Sequence, residues 1–449
     1  MTCRRRLVAQ TRNNQRQGDM EPLIKNTMNE NATVNSDTLD TDIAIIGGGM
    51  VGAAQAALLA QTNPQWRITL LETFPMPEGK PSFQPSFDDR STAIAQGSVQ
   101  LLQQLGIWSQ LQQHGTPIDQ VHVSDKGHLG GALIDRREHH VDALGYVVPN
   151  AWIGRVLIAH LHQLANVDIV APATVEQLQP QASGARLQLR RGERSLTLTT
   201  QLAIIADGAQ SPLRESLGID CQLQSYEQTA IIANIGLDQS HKGVAYERFT
   251  DQGPMALLPL GGSLQGQTSA LVWTQPKAEA ETILALSDEQ FLQQLQQRFG
   301  YRLGRFVSVG KRDSYPLSLS VAKEQIRSSL VVMGNAAHFL HPVAGQGFNL
   351  ALRDCAALAT SLMEKGDSAL GALPRLNRYM ELQRLDQQAT IHFSDQLTKL
   401  FSTASLPQAA LRALGFVGLE CVPPAKHWFT RQTMGAGGRQ QVLNPVGGH

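Results

Sequence analysis

The chain has 449 residues with 38 basic and 38 acidic side chains, so its net charge is zero and nothing in it calls for nucleic acid or an anionic surface. A hydrophobic share of 42% with 39 glycines is that of a globular protein and excludes disordered and fibrous classes. The length suggests about two or three domains around a large core, while charged residues are scarce at 17% and glutamine fills many polar positions, as on a surface covered by partners.

Cys3, Cys221, Cys355 and Cys421 stand far apart, without CxxC pairs or zinc-like Cys/His spacing, so no metal site is expected and a reduced, intracellular protein is the default. No stretch reaches the ~18 uninterrupted apolar residues of a membrane-spanning helix. The expected location is therefore cytoplasmic. Arg4, Arg5, Arg6, Arg12 and Arg16 precede no apolar core and do not make a secretory signal. Residues 1–40 read as a polar, disordered extension.

In chain order, Ile43 to Ile46 is a short apolar run bounded by glycines, which predicts a buried parallel strand. An alanine-rich helix follows from Met50, then a second strand, Ile68 to Leu71, ending at Glu72. This is a complete βαβ unit. A helix is expected from Ser91 to Leu105 with Gly106 as its stop, a strand at Val121 to Ser124, and a helix from Ile153 to Leu164. Short strands are expected at 167–170, 175–178, 185–189, 196–199 and 202–206. Residues 226–320 are strand-rich with Pro and Gly turns and predict a separate antiparallel sheet. Leu330 to Met333 predicts one more buried strand, followed by a glycine-rich loop and a helix from about Phe348 to Met363. The tail from Arg375 is mostly helical in pattern.

Three glycine-bearing motifs carry the chemistry. Gly47-x-Gly49-x-x-Gly52 follows a strand and opens a helix, with Glu72 twenty residues beyond. Small residues allow the tight turn and the approach of a pyrophosphate, the helix N-terminus attracts its charge, and a carboxylate accepts from ribose hydroxyls. Glu72 rather than Arg favours FAD or NAD over NADP here. Gly334-Asn335 ends a strand, where Asn335 can bond a ribityl hydroxyl, and Gly345-Gln346-Gly347 leads into a helix through Asn349, where backbone amides suit the negative edge of a reduced flavin. Asp207-Gly208, followed by Arg214, reads equally well as a solvated turn with a helix cap.

Taken together, the three motifs resemble those of the FAD-dependent aromatic hydroxylases, the single-component flavoprotein monooxygenases. The segments Asp88 to Ala93, Val121 to His128, Tyr246 to Phe249, Gly253 to Pro259 and His341 to Asn349 extend the resemblance to the ubiquinone-biosynthesis hydroxylases, over roughly residues 41–435.

The resemblance implies an α/β fold. Its Rossmann-like FAD-binding parts lie at residues 41–225 and 321–374, its interposed β-sheet substrate domain at 226–320, and its helical C-terminal region at 375–449. It implies FAD held by Gly47, Gly49, Gly52, Glu72, Arg90, Asp207, Gly208, Arg214, Gly334, Asn335, Gly345, Gln346, Gly347 and Asn349, with Arg90 reaching the phosphates. Asn335 stands where the family usually has Asp.

NAD(P)H would be co-substrate, and oxygen from O2 would pass through a flavin hydroperoxide to a polyprenylated phenol. Met255, Leu257, Pro259, His341 and Pro342 are pocket candidates, with His338 secondary, and Asp354 is expected to help order the helix start. A membrane-soluble substrate implies peripheral contact with the inner membrane or membership of a quinone-biosynthesis assembly. The alternatives are another flavin-dependent hydroxylase or reductase on the same fold, or a non-catalytic FAD-binding subunit of such an assembly.

Overall fold

The computed structural model describes residues 38–76, 87–126, 131–181, 183–261, 266–341, 345–364 and 368–401. The first 37 residues of the expected extension, the pocket candidate Pro342 and the tail beyond 401 lie outside the described residues. Thr38 to Asp40 already belong to the first strand.

That strand, Thr38–Ile46, lies at the centre of a parallel array. Leu330–Val332, Arg194–Ile205, Thr38–Ile46, Ile68–Leu71 and Val167–Val170 follow one another across it, and Gly184–Arg191 and Thr174–Gln181 add antiparallel strands to Arg194–Ile205. Burial on both faces explains the unbroken apolar run. Ile43 and Ile45 point into a core shared with the helices Met50–Thr62, Asn150–Leu161 and Gln346–Met363. Ala44 and Ile46 point into a second core with Leu187, Leu189 and Leu213. The first helix is buried at ten positions, six of them Gly or Ala, and this small-residue surface lets it lie close to its neighbours.

Two predicted elements differ from those observed. Ser91 to Ala95 is not helical; it is a strand paired antiparallel with Gly145–Pro149, and the helix begins only at Gln96. Thr92 and Ile94 are β-branched, and a partner fifty residues away satisfies their backbone. The two short strands expected at 196–199 and 202–206 are one strand, Arg194–Ile205, whose two halves pair with different neighbours.

The second large sheet has nine strands among the described residues, and Asp313–Ala322, Cys221–Leu237, Thr268–Pro276, Gly253–Leu260 and Val244–Thr250 follow one another across it. It also recruits Gln120–Asp125 and Gly131–Asp135 from well before residue 226. Gln120–Asp125 joins Val244–Thr250 in parallel, so the sheet is not purely antiparallel. One face carries Ile231, Met255, Leu257, Leu271 and Trp273 against Phe291 and Leu295 of the helix Asp288–Phe299. The opposite face carries Ala245, Leu258 and Ala270 toward Val147 and Ala93. The long helix Leu373–Phe401 packs Leu376 and Tyr379 into the first core and brings Leu397 onto Phe249 and Val123 of the sheet.

Candidate functional site

Parallel strands deliver their following residues to one edge of the sheet, where ligands of such folds bind. Ile46 is in register with Leu71 and with Ile205, and Ile205 with Val332. The turns after these four strands are Gly47, Glu72, Asp207 and Gly334, so residues spread over nearly 300 positions meet at one level.

Gly47 has φ +104°, and a Cβ there would lie 2.5 Å from the Ala206 carbonyl oxygen. Gly49 caps the first helix, and a Cβ on Gly52 would collide with the Gly47 carbonyl oxygen. The turn therefore exists only with glycine at both 47 and 52. Glu72 is buried, and its carboxylate accepts from the Gly48 N–H at 2.6 Å and the Phe74 N–H at 2.8 Å, which fixes it beside the turn.

Asp207 follows the strand Arg194–Ile205, with Gly208 at φ +101°. Its Oδ1 is buried without a hydrogen-bond partner, and burial raises the carboxyl above its ordinary pKa. Such an orphaned acceptor is costly unless a ligand hydroxyl or N–H meets it. Arg214, in contrast, is buried and turned inward: its Nη1 donates to the carbonyls of Ala209 at 3.2 Å and Ala336 at 2.8 Å. It ties the Asp-Gly turn to the Gly334 turn and acts through them. Gly334 has φ +60°, with Val51 of the first helix against it, and Asn335 is exposed at the rim of that turn.

At the start of the helix Gln346–Met363, Gly345 has φ +59° and lies against Ala93, while a Cβ on Gly347 would meet nothing among the described residues within 4 Å. Gln346 is buried. Asn349 is saturated from within the protein. Its Oδ1 accepts from the Ala95 N–H at 2.9 Å and the Ser98 hydroxyl at 2.7 Å, and its Nδ2 donates to the carbonyls of Ala93 at 2.8 Å and Gly345 at 2.7 Å. An amide with two acceptor and two donor bonds filled has no bond left for a cofactor. Asn349 therefore corrects the expectation of a direct contact: it locks the helix start onto the Ser91–Ala95 strand.

Arg90 bonds Asp88 through Nε at 2.6 Å and lays its guanidinium over the Tyr315 ring, 4.6 Å from the centroid. It thus stands between the cofactor side and the second sheet. On that sheet the pocket expectation for Met255 and Leu257 is overturned, because both point into the helix-covered core, and strand alternation sends Pro259 the same way. The other face holds Ala256, Leu258, Val272, Ile232 and Tyr315, all only partly covered. His341 is buried edge-on to Tyr226, with centroids 5.4 Å apart, and burial pushes its pKa down to about 4, so it is neutral at pH 7. His338 Nε2 pairs with Asp354 Oδ2 at 2.6 Å, which fastens the turn to the following helix.

These features fit an FAD: a pyrophosphate-sized turn that Cβ atoms would fill, an orphaned buried carboxylate oxygen, and open space at a helix N-terminus. The family model described as "FAD binding domain" matches residues 40–384. The chain belongs to the FAD-binding aromatic monooxygenase family. It is 35% identical to ubiquinone hydroxylase UbiL of Rhodospirillum rubrum over 88% of this chain and 89% of that one. It is 29% identical to the 3-demethoxyubiquinol 3-hydroxylase of Escherichia coli over 85% and 95%. Among solved structures, p-nitrophenol 4-monooxygenase PnpA from Pseudomonas putida matches with TM-score 0.72 and 17% identity over 90% of this chain and 99% of that one, a likeness of fold.

In this monooxygenase two groups carry no mark in the sequence motifs. The Tyr226 hydroxyl donates to Asp395 Oδ1 at 2.9 Å, and Lys399 pairs with Asp395 Oδ2 at 2.7 Å, so the long helix braces the strand beside His341. Glu247 lies on the partly covered face of the second sheet, in register with Ala256 and Val123. Its one sequence signal is an acid at the same alternation as Ala245 and Phe249 in an otherwise apolar row.

The two faces make opposite predictions. Leu257→Ala should cost about 2–5 kcal/mol of stability by leaving a cavity under Phe291, with the substrate KM unchanged in the folded fraction. Leu258→Ala should leave the denaturation midpoint nearly unmoved and shift KM. Denaturant titration beside steady-state kinetics separates them.

Proposed function

We propose that this chain hydroxylates the ring of a polyprenylated methoxyphenol in ubiquinone biosynthesis, with FAD as resident cofactor and NAD(P)H and O2 as co-substrates. The observation that carries the reading is the partly covered apolar face around Ile232, Ala256, Leu258, Val272 and Tyr315, on the side of the sheet that packs toward Ala93 and hence Gly345. An aromatic ring with a hydrocarbon tail is the ligand such a face accepts. The names of the ubiquinone hydroxylases with which the chain shares most of its length support the same reading.

The bound flavin supplies electron transfer from NAD(P)H and the activation of O2. The protein's share is placement. Gly47, Gly49 and Gly52 with the first helix N-terminus would hold the pyrophosphate, Glu72 the ribose, Asp207 and Asn335 further hydroxyls, and the amides at Gly345 to Gly347 the ring edge. Arg214 and Asn349 would hold those turns in place, and the apolar sheet face would keep water from the reacting centre.

No helix among the described residues is long and apolar enough to cross a membrane. A polyprenyl substrate must then be met at the bilayer surface or handed over within a quinone-biosynthesis assembly, and peripheral contact with the inner membrane is part of this reading. Lipid extracts of aerobically grown cells depleted of the protein are expected to accumulate a polyprenyl-methoxyphenol by mass spectrometry. An unchanged quinone profile would overturn the substrate.

A further inference from the structure

Glu247 is an ionisable group on the substrate-side face that the cofactor site does not use. In Val244–Thr250 it alternates with Ala245 and Phe249; Ala256 of Gly253–Leu260 and Val123 of Gln120–Asp125 flank it in register. Ala245 with Leu258 forms the apolar cluster on one side, and Phe249, Val123 and Leu397 form the one on the other. The residues are packed at both ends of this row and only partly covered at Glu247, Ala256 and Leu258, so the carboxyl opens into the gap between two apolar patches.

The neighbouring elements do not neutralise it. Tyr246 and Arg248 point to the opposite face, where Arg248 reaches Ser124. Gly145–Pro149 turns Val147, not Tyr146, toward the cluster. Asp125 shares its face one alternation further along, in register with Phe249, and on the long helix Asp395 and Lys399 pair with each other. Burial alone pushes the Glu247 carboxyl up to about 8.

We infer that Glu247 is the base that takes the proton of the substrate's phenolic hydroxyl. This rests on the hydroxylase reading above. The phenol O–H bond breaks, the proton goes to a carboxylate oxygen of Glu247, and the electron pair stays on the ring oxygen, making the ortho and para carbons more nucleophilic. Once a ring carbon has gained its oxygen atom, that carbon's proton shifts to the ring oxygen as aromaticity returns. The proton on Glu247 leaves to solvent, balancing the one consumed as the second oxygen atom of O2 departs as water.

Energetically the site suits the transfer. A phenol ionises near pKa ~10 and an ordinary glutamate near ~4.3, a gap of about six units. At about 8 the gap falls to about two, within the range of an effective base. Because the carboxylate is the active form, product formation should rise as pH increases through about 8.

The test uses FAD-loaded wild type and Glu247→Gln with a short-chain prenylated 2-methoxyphenol and its methyl ether, which has no proton to give. Wild type that fails to hydroxylate the phenol at any pH overturns the substrate reading, whatever Glu247 does. If wild type turns over, Glu247→Gln is expected to form product about 100-fold more slowly at pH 8.5. It should lose the rise through pH 8, with flavin content and melting temperature unchanged. Both proteins should process the ether at the same low rate. Product formation by Glu247→Gln within twofold of wild type, a rise through pH 8 retained in the variant, or an ether hydroxylated as fast as the phenol by wild type would each overturn the inference. The wild-type ether comparison and pH profile stand even if the variant does not fold.

Discussion

Gly52→Ala is expected to purify without its yellow cofactor. One methyl group is added, but it enters where the Gly47 carbonyl oxygen lies, and backbone is what it meets rather than a side chain that can swing aside. The helix Met50–Thr62 cannot back away, since ten of its thirteen residues are buried against strands and helices on all sides. The turn must yield instead, and the Gly47 carbonyl then leaves the φ +104° conformation that aims the following amides at a pyrophosphate.

Loss of that cradle should raise the dissociation constant of FAD at least 100-fold, about 3 kcal/mol. Fluorescence titration of apoprotein with FAD measures it, and circular dichroism reports whether the sheet survives. Gly347→Ala is the contrasting substitution. Nothing among the described residues stands within 4 Å of its Cβ, and an alanine in place of a helical glycine favours the fold by about 0.5–1 kcal/mol. If the open space there belongs to the flavin ring, that variant keeps or gains stability as apoprotein and yet binds FAD less well. Equal affinity in Gly52→Ala and wild type would remove the first motif from the cofactor site.

The difference between these two glycines also marks what could be read in the sequence. The βαβ unit was legible because its signals are local: four apolar residues, a glycine turn, a helix of small residues and a second strand, with Ile68–Leu71 found at its expected bounds. The other glycine motifs were legible as motifs. Their meeting was not, because it depends on Ile46, Ile205 and Val332 sharing one register across a sheet assembled from distant segments.

The substrate side was less legible still. Met255, Leu257 and Pro259 alternate with Ala256 and Leu258, and a period of two says that one set faces away from the other without saying which set meets the ligand. The helices Lys277–Leu284 and Asp288–Phe299 decide it by covering the more apolar set. The set that faces these helices is core, and the opposite set stays only partly covered. Ser91 to Ala95 fails for a similar reason. Its residues tolerate a helix, and the backbone of Gly145–Pro149 and the amide of Asn349, both distant in sequence, hold it extended.

That role makes Asn349 the second position of large effect. Asn349→Ala removes four hydrogen bonds at once, two buried and two partly buried, and leaves the Ala95 N–H, the Ser98 hydroxyl and two carbonyls without their partner. At about 1 kcal/mol for each bond, and more where a buried group is orphaned, the loss is about 3–5 kcal/mol. Because the bonds join the Gly345 turn to the strand Ser91–Ala95 and the helix Gln96–Gln104, the cost should fall on the junction between cofactor and substrate sides. Denaturant unfolding should show a lowered midpoint. FAD affinity should fall less than in Gly52→Ala, since the pyrophosphate turn is untouched.

Asn349→Asp refines the argument. A carboxylate keeps both acceptor bonds, to the Ala95 N–H and the Ser98 hydroxyl, but sets negative charge against the Ala93 and Gly345 carbonyls in place of two N–H donors. It should therefore be no better than alanine at neutral pH and recover stability as the pH falls and the carboxyl takes up a proton, which restores one donor. The sign follows from linkage: a carboxyl held against carbonyl oxygens has its pKa raised in the folded state, so the folded form binds the proton more tightly than the unfolded chain does. An Asn349→Asp protein as stable as wild type at pH 7 would mean that the Nδ2 bonds do not hold the turn.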